Sequence, residues 1–224
     1  MGVISYQILT ERVGEIARKC GRRADDITIV AVSKGASVDA IASLAASGAV
    51  CFGESRVQEA ARKIPFLPQE YQWHYMGKVQ SNKAAYIVQH FSLVHSVDSL
   101  AAAEQLSKRS VQAGRICSIL LEVNTSGETS KQGLSEAKWE ELLPFLVALP
   151  SLSIEGLMAM APRGNNEAEA RRCFSRLREL REKWRCGMPD PQRFRHLSMG
   201  MSHDFPIAIE EGATLLRIGT ALFG

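Results

Sequence analysis

The sequence lacks the features that place a protein in or across a membrane. Its longest uncharged apolar run extends from Leu142 to Ile154, is interrupted by two prolines, and is shorter than the ~18 residues of a spanning helix. The first residues contain no basic segment followed by an apolar stretch, and Tyr6 stands where an N-myristoylation signal has serine or threonine. These absences predict a cytoplasmic protein that does not contact a membrane.

Cysteine, histidine and net charge also argue against several classes of protein. The five cysteines are odd in number and include no closely spaced pair, so we expect reduced thiols rather than a disulfide framework or a zinc site. The histidines lack partners at the spacing of helical metal ligands, so no metal site is expected. The net charge of +3 is small for a dedicated nucleic-acid-binding domain.

Strand-like and helical segments alternate along the whole chain. Short runs rich in β-branched residues are separated by segments with apolar residues at three- and four-residue spacing. The predicted strands are 27–33, 50–52, 73–76, 93–95, 116–123, 152–157, 196–198 and 214–218. The predicted helices are 6–19, 38–46, 56–63, 82–89, 100–113, 135–146, 166–184 and 205–210.

This alternation predicts a parallel sheet covered by helices, and eight strands favour closure into a barrel. We therefore expect an α/β fold of the TIM type, a (β/α)8 barrel that forms one domain over residues 1–224, with an N-terminal helix at about 6–19. An open, doubly wound sheet is the main alternative.

The functional residues of such a barrel lie just beyond the carboxyl ends of its strands. Lys34 follows the first strand, and we expect its side chain to project into a desolvated barrel mouth. Burial disfavours the charged form of a lysine, and a neutral amine can condense with an aldehyde. The alternative is a structural lysine whose charged end reaches water at a strand end.

The ends of the last two strands are rich in small and hydroxylated residues. Ser198, Ser202 and Thr220 offer hydroxyl groups, while Gly200 and Gly219 allow backbone amides to approach an anion closely. Loops at these positions of a barrel often bind phosphate. Each glycine taken alone would equally suit a tight turn.

Arg217 stands just before the second of these loops. It is permanently cationic and could donate to a phosphate or to a ring nitrogen. The alternative is a structural ion pair with Glu210 or Glu211.

With these residues assembled, the chain resembles the pyridoxal phosphate homeostasis protein family, whose barrel is similar to the amino-terminal domain of alanine racemase. The motifs that carry the resemblance extend over nearly the whole chain. They are VAVSK at 30–34, FGES at 52–55, WHYMG at 73–77, QSNK at 80–83, GLMA at 156–159, LSMGMS at 197–202 and RIGTALFG at 217–224.

The resemblance implies that Lys34 holds pyridoxal 5'-phosphate as a Schiff base and that Arg217 faces the pyridine nitrogen. It also places the phosphate at the last two strand ends and Met158 beside the ring. The cofactor-binding residues predicted in this way are Lys34, Ser55, Met158, Ser198, Met199, Gly200, Ser202, Arg217, Gly219 and Thr220.

Two positions depart from the family pattern. Ser55 stands where the family usually has asparagine, which puts a side-chain amide contact near the cofactor in doubt. Gly35 and Ala36 follow Lys34, where the family commonly has threonine and lysine, so a neighbouring basic residue is absent.

Three classes of function follow from the sequence. The first, which the resemblance favours, is a non-enzymatic carrier that binds pyridoxal phosphate reversibly through Lys34 and influences its cellular pool. We expect it to be a monomer, with apo forms of pyridoxal-phosphate-dependent enzymes as candidate partners. The second is an amino-acid racemase in which Tyr75 or Tyr86 supplies a second acid. The third is an RNA- or protein-binding module that uses the arginine-rich helix 166–184, although its interspersed glutamates favour a solvated outer face.

Overall fold

The structure is a computed structural model that describes residues 3–125, 133–162, 164 and 166–224. Met1 and Gly2, and Ser126 after the fifth predicted strand, lie outside the described residues. Eight parallel strands form a closed barrel in sequence order, because β1 pairs with both β2 and β8. The predicted (β/α)8 barrel is confirmed, and the open sheet is excluded.

The strands are β1 (Thr28–Val32), β2 (Cys51–Glu54), β3 (Gln72–Tyr75), β4 (Leu93–Val97), β5 (Cys117–Glu122), β6 (Leu152–Met158), β7 (His196–Ser198) and β8 (Leu215–Ile218). The helices are α1 (Tyr6–Lys19), α2 (Val38–Ala46), α3 (Val57–Lys63), α4 (Ala84–His90), α5 (Leu100–Ala113), α6 (Glu136–Val147), α7 (Glu167–Arg185), α8 (Phe205–Glu210) and α9 (Thr220–Phe223). None of the helices within the described ranges is long and apolar enough to cross a membrane.

Helix α1 packs against the side of the barrel at the seam where the sheet closes. Its buried residues Leu9, Val13 and Ala17 recur every four positions and form one face. Ser5 caps the helix by accepting a hydrogen bond from the amide of Ile8 at 3.2 Å. The helix contacts α8, so the predicted N-terminal helix covers the element that follows β7.

Both faces of the barrel wall are buried, which is typical of parallel sheets. An inner cluster fills the barrel and consists of Val30, Cys51, Leu93, Leu120, Met158 and Leu215. The other face of each strand packs on the helices. Because side chains alternate along a strand, the inner cluster shows which later residues face the barrel mouth.

Candidate functional site

Lys34 lies in a turn at the rim of the barrel. Val30 belongs to the inner cluster, and Val32 follows it on the same face of β1. The strand ends at Val32, and Gly35 completes the turn with a φ of 77°. The Lys34 side chain is exposed, so the predicted desolvated position is wrong. The turn carries Lys34 beyond the last layer of buried side chains.

A chain of hydrogen bonds crosses the barrel interior from β8 to β2. Arg217 Nη1 donates to Ser198 Oγ at 2.7 Å, and Ser198 Oγ lies 2.8 Å from His95 Nδ1. His95 Nε2 lies 3.0 Å from His74 Nδ1, and His74 Nε2 lies 3.6 Å from Cys51 Sγ. All of these residues except Arg217 and His74 are almost fully buried, and these two are 6% exposed.

Only one direction of this hydrogen-bond chain gives the Ser198 proton an acceptor among the described residues. A guanidinium only donates, so Ser198 Oγ accepts from Arg217 and directs its own proton to His95 Nδ1. His95 then donates from Nε2 to His74 Nδ1, and His74 donates from Nε2 to Cys51 Sγ. The opposite direction would leave the Ser198 proton without an acceptor among the described residues.

Burial keeps the middle of this chain uncharged. It lowers the pKa of His74 to about 4 and the pKa of His95 well below its ordinary value of 6.5. It also raises the pKa of the Cys51 thiol to about 12. Arg217 is therefore the cation of the chain, and its second donor, Nη2, bonds the carbonyl of Ala159 at 3.0 Å.

Glu122 adds a carboxyl group to the inner face of β5. Leu120 belongs to the inner cluster, so Glu122, two residues further, faces the mouth. The residue is 2% exposed, and burial, together with repulsion from Asp98, raises its pKa to about 7. Attraction by Arg217 and Lys78 opposes this rise. Near neutral pH this group is therefore substantially protonated.

The loops after β7 and β8 touch each other. The Ser202 hydroxyl accepts a hydrogen bond from the amide of Ala221 at 3.2 Å, which leaves its proton free to be donated. Gly200 has a φ of 92°, and a Cβ there would lie 2.6 Å from the Cβ of Ala208. Thr220 is exposed at the same rim.

Gly219 brings these loops next to the strand that precedes Lys34. A Cβ at Gly219 would lie 3.3 Å from the Val32 carbonyl oxygen and 3.5 Å from the Val32 Cβ. Any side chain here would therefore crowd the end of β1. The predicted phosphate loops and the predicted Schiff-base lysine thus occupy neighbouring strand ends.

The structure reassigns two of the predicted site residues. The Ser198 hydroxyl is fully buried between Arg217 and His95, so it holds these groups rather than extending to the phosphate loops. Met199 is fully buried on the helix-facing side of the wall, and its amide donates to Leu215. Its side chain therefore packs in the core because it follows Ser198 with the opposite orientation.

Met158 faces the barrel interior, and Ser55 lies just beyond the carboxyl end of β2. Met158 belongs to the inner cluster and pairs with Ser198 in the sheet. Ser55 follows β2 and is partly exposed. A Cβ at Gly77 would lie 1.9 Å from the Ser55 carbonyl oxygen, so glycine at 77 allows the loop after β3 to approach Ser55. The roles of both residues toward a cofactor stay predictions.

Neither candidate tyrosine faces the barrel mouth. The Tyr75 hydroxyl donates to the Lys78 carbonyl at 3.2 Å, and its ring packs edge-on against Phe91. Tyr86 stacks on His90 with ring centroids 4.1 Å apart. Both rings lie on the helix side of the wall, so the structure gives no support to a tyrosine acid at the mouth.

The structural alternative proposed for Arg217 is wrong. Glu211 pairs instead with Arg171 at 2.9 Å and Arg178 at 2.6 Å, and Glu210 pairs with Arg171. These arginines belong to α7, in which Arg176 and Lys183 also form ion pairs with Glu136 of α6. This pairing explains the charge of the helix as a mixed, solvated face.

His95 and Glu122 were not predicted to lie in the barrel interior. The period of two along a strand could have located both, because Leu93 and Leu120 are apolar residues two positions earlier on the same face. The buried pair of Lys63 and Glu54, which lies under the Lys34 turn, was also missed. No local sequence pattern indicates that Lys63 and Glu54 form a buried pair.

Comparisons with known proteins identify the family to which the chain belongs. The family model for the amino-terminal domain of alanine racemase matches residues 4–224. The chain therefore belongs to the class of alanine racemase N-terminal-domain barrels. An alanine racemase from Corynebacterium glutamicum has a TM-score of 0.68 at 18% identity, and this chain covers 62% of it, which supports the fold alone.

Relatives with higher sequence identity show to which family within this class the chain belongs. The pyridoxal phosphate homeostasis protein of Aquifex aeolicus is 36% identical over 219 residues, covering 96% of this chain and 93% of the relative. The protein of the same name from Pseudomonas aeruginosa is 40% identical, covering 95% of this chain and 90% of the relative. This chain belongs to the pyridoxal phosphate homeostasis protein family.

A solved structure of PipY from Synechococcus elongatus with pyridoxal phosphate bound is similar over almost the whole chain. It is 39% identical, has a TM-score of 0.84, and the match covers 96% of this chain and 99% of PipY.

Proposed function

We propose that this chain binds pyridoxal 5'-phosphate reversibly and takes part in keeping the supply of this cofactor constant. The observation that carries the proposal is that Gly219 lies next to Val32, the last residue of the strand that leads to Lys34, at the neighbouring ends of β1 and β8. The homeostasis proteins named above and the cofactor-bound PipY structure support the same function.

The residues at the rim fit the chemical groups of this cofactor. When bound, pyridoxal phosphate supplies an aldehyde, with which a lysine amine condenses reversibly with loss of water. Lys34 supplies the amine, while Ser202, Thr220 and the backbone at Gly200 and Gly219 hold the phosphate. These residues lie on loops whose contacts with each other are already formed.

Arg217 is the proposed partner of the pyridine nitrogen. Arginine donates a hydrogen bond and cannot transfer a proton to this nitrogen, whereas a carboxylate would keep it protonated. The ring therefore remains a weak electron sink. Together with the outward position of Tyr75 and Tyr86, this favours storage of the cofactor over amino-acid racemisation.

The setting of the protein is part of the proposal. All five cysteines are free thiols, which supports a reducing, cytoplasmic compartment. Apo forms of pyridoxal-phosphate-dependent enzymes are the proposed recipients of the cofactor, and the chain is proposed to act as a monomer that binds neither nucleic acid nor membrane. Sizing of the purified protein and transfer of the cofactor to an apo enzyme would test these points.

Visible absorbance tests the attachment to Lys34. Pyridoxal phosphate added to the wild-type protein is expected to give the band of a lysine-bound cofactor, and Lys34→Ala is expected to lose it. Lys78→Ala is the matched control, because Lys78 is also an exposed lysine that follows a barrel strand. A band that persists in Lys34→Ala would refute the proposed attachment.

Proton exchange tests the proposed absence of robust catalysis. The loaded protein is incubated with alanine in deuterated water, and deuterium at the α-carbon is measured by mass spectrometry. We expect exchange far slower than ~1 s⁻¹, which is the lower end of ordinary turnover rates. Exchange at or above this rate would favour the racemase.

A further inference from the structure

A buried lysine lies beneath the turn that carries Lys34. Lys63, the last residue of α3, is 8% exposed, and its ammonium group contacts three oxygen atoms. Lys63 Nζ lies 2.8 Å from the Ser33 carbonyl oxygen, 2.5 Å from Glu54 Oε1 and 3.4 Å from Glu59 Oε2. An ammonium group has three donors, so all three are engaged.

The contacts of this cluster fall on both peptide groups that flank Lys34. The carbonyl on its amino side, that of Ser33, accepts from Lys63 Nζ. The amide on its carboxyl side, that of Gly35, donates to Glu59 Oε2 at 3.1 Å. The Lys34 Cα is therefore held on both sides by side chains of one helix.

Ser33 and Glu54 close the cluster from the barrel wall. The Ser33 hydroxyl donates to Glu54 Oε1 at 3.0 Å, and the Ser33 amide donates to the Gly53 carbonyl at 2.9 Å. Both Ser33 and Glu54 are fully buried. The turn is thus fixed to β2 as well as to α3.

The energetics of the cluster argue against a role in stability alone. Burying two charges costs more than their attraction returns unless every polar atom is satisfied, and an apolar pair is often as stable or more stable. Glu54 Oε2 is buried without a hydrogen-bond partner among the described residues. The cluster therefore contributes little net stability, but it makes two hydrogen bonds to the peptide groups that flank Lys34. These bonds indicate a role in fixing the position of Lys34.

From this we infer that Lys63, Glu54 and Glu59 form a positioning clamp that fixes the Lys34 turn, so that the Lys34 amine meets the cofactor aldehyde in a prearranged position. The inference rests on the proposed function and deepens it. The clamp residues do not touch the cofactor, and Lys63 does not compete for the aldehyde because its ammonium donors are engaged. Fixing a reactive group before binding lowers the entropic cost of covalent attachment.

Binding of two ligands can distinguish a role of the clamp in positioning Lys34 from a general role in the stability of the fold. Pyridoxal 5'-phosphate has the aldehyde that Lys34 requires, whereas pyridoxine 5'-phosphate has the same ring and phosphate but an alcohol in its place. The ratio of the two dissociation constants, measured by equilibrium dialysis, reports the covalent step alone. A variant that merely loosens the fold would weaken the binding of both ligands.

The main variant removes both buried charges together. Lys63→Met with Glu54→Gln is preferred to either single change, because a single change would leave an unpaired buried charge. We expect this double variant to lower the preference for the aldehyde roughly tenfold or more while binding pyridoxine phosphate as the wild type does. Arg62→Met is the matched control, because it removes an exposed cation one residue away on the same helix.

A second variant keeps the test valid if the double variant folds poorly. Glu59→Ala removes the acceptor of the Gly35 amide from a partly exposed position, where the risk to folding is small. We expect it to lower the same preference. Introduced into Lys34→Ala, neither set of clamp changes should alter the binding of either ligand, because no covalent step remains.

The possible failures can be told apart. If the wild-type protein shows no preference for the aldehyde, both the proposed function and the clamp are refuted. If the wild type shows the preference and the clamp variants retain it, the clamp alone is refuted. Equal weakening of both ligands in the clamp variants would also refute it, since the cluster would then have only a structural role.

Discussion

The Arg217 guanidinium donates to the Ser198 hydroxyl at 2.7 Å, and this contact sets the direction of the hydrogen-bond chain through the barrel interior. Arginine cannot accept, so the serine proton must point to His95, and the two histidines follow in turn. The cation proposed to face the cofactor is thus held by an uncharged chain that ends at Cys51.

Removal of the Ser198 hydroxyl should therefore lower the free energy of unfolding more than removal of a serine hydroxyl with one hydrogen-bond partner. In Ser198→Ala, both Arg217 Nη1 and His95 Nδ1 lose a buried partner, and we expect the free energy of unfolding to fall by about 2–4 kcal/mol. Urea denaturation measures this change. Ser110→Ala is the control, because that buried hydroxyl donates to the Leu106 carbonyl within α5, which is a less costly bond to lose.

The direction of the chain can be read from nitrogen chemical shifts. We expect both His95 and His74 to be protonated at Nε2 and unprotonated at Nδ1, and to keep these states from pH 8 to pH 5.5 because burial lowers both pKa values. Two-bond proton–nitrogen correlation spectra of the ¹⁵N-labelled protein distinguish the tautomers. A proton on Nδ1 of either ring would contradict the deduced direction.

His74 also makes the fold sensitive to acid. Its pKa is about 4 in the folded protein and 6.5 ordinarily, so the unfolded chain binds a proton that the folded chain does not. Stability from this group is present above about pH 6.5 and is lost as the pH falls toward 4. The loss amounts to about 3 kcal/mol. The stability of the wild type relative to His74→Gln should fall by this amount between pH 7.5 and 4.

Glu122 makes the free energy of unfolding depend on pH in the opposite direction from His74. Its pKa is raised from 4.5 to about 7, so the folded protein retains a proton that the unfolded chain releases between these values. The corresponding stability is full below about pH 4.5 and is lost as the pH rises through 7. Glu122→Gln should therefore be more stable than the wild type by up to about 3 kcal/mol at pH 8.5 and equal to it near pH 4.5. A difference independent of pH in urea denaturation would contradict this account.

Glycine is required at position 200 by its backbone conformation and by the neighbouring Ala208 side chain. Gly200→Ala would place a Cβ 2.6 Å from Ala208 at a φ of 92°, so we expect a loss of about 1–3 kcal/mol and weaker binding of pyridoxine phosphate. Gly114→Ala is the matched control, because Gly114 also has a positive φ but its Cβ would meet nothing within 4 Å. Equal effects on ligand binding in the two variants would exclude Gly200 from the phosphate loop.

The regular parts of the fold could be predicted from local sequence. The bounds predicted for α1, α2, α5 and α8 coincide with those observed, because apolar periodicity and capping residues act over a few positions. The four-residue helix α9 was missed, since it is too short to show a period. The rim position of Lys34 followed from the order of strand and turn.

The contacts that tune the site could not be predicted. Ser198 and His95 are 103 residues apart, and their contact depends on how the strands face one another across the closed barrel. Lys63 looks like an ordinary helix-end lysine, yet it is buried because the turn after β1 approaches α3. The exposure of Lys34 likewise depends on where the strand ends, which local propensity does not determine to within one residue.

Borohydride reduction followed by peptide mapping tests the central claim most directly. Pyridoxal phosphate is added at a stoichiometric amount, the product is reduced to a stable amine, and the modified lysine is located by mass spectrometry. We expect the added mass on the peptide containing Lys34, and we expect it to disappear in Lys34→Ala. Modification spread over exposed lysines such as Lys78, or found on Lys63, would contradict it.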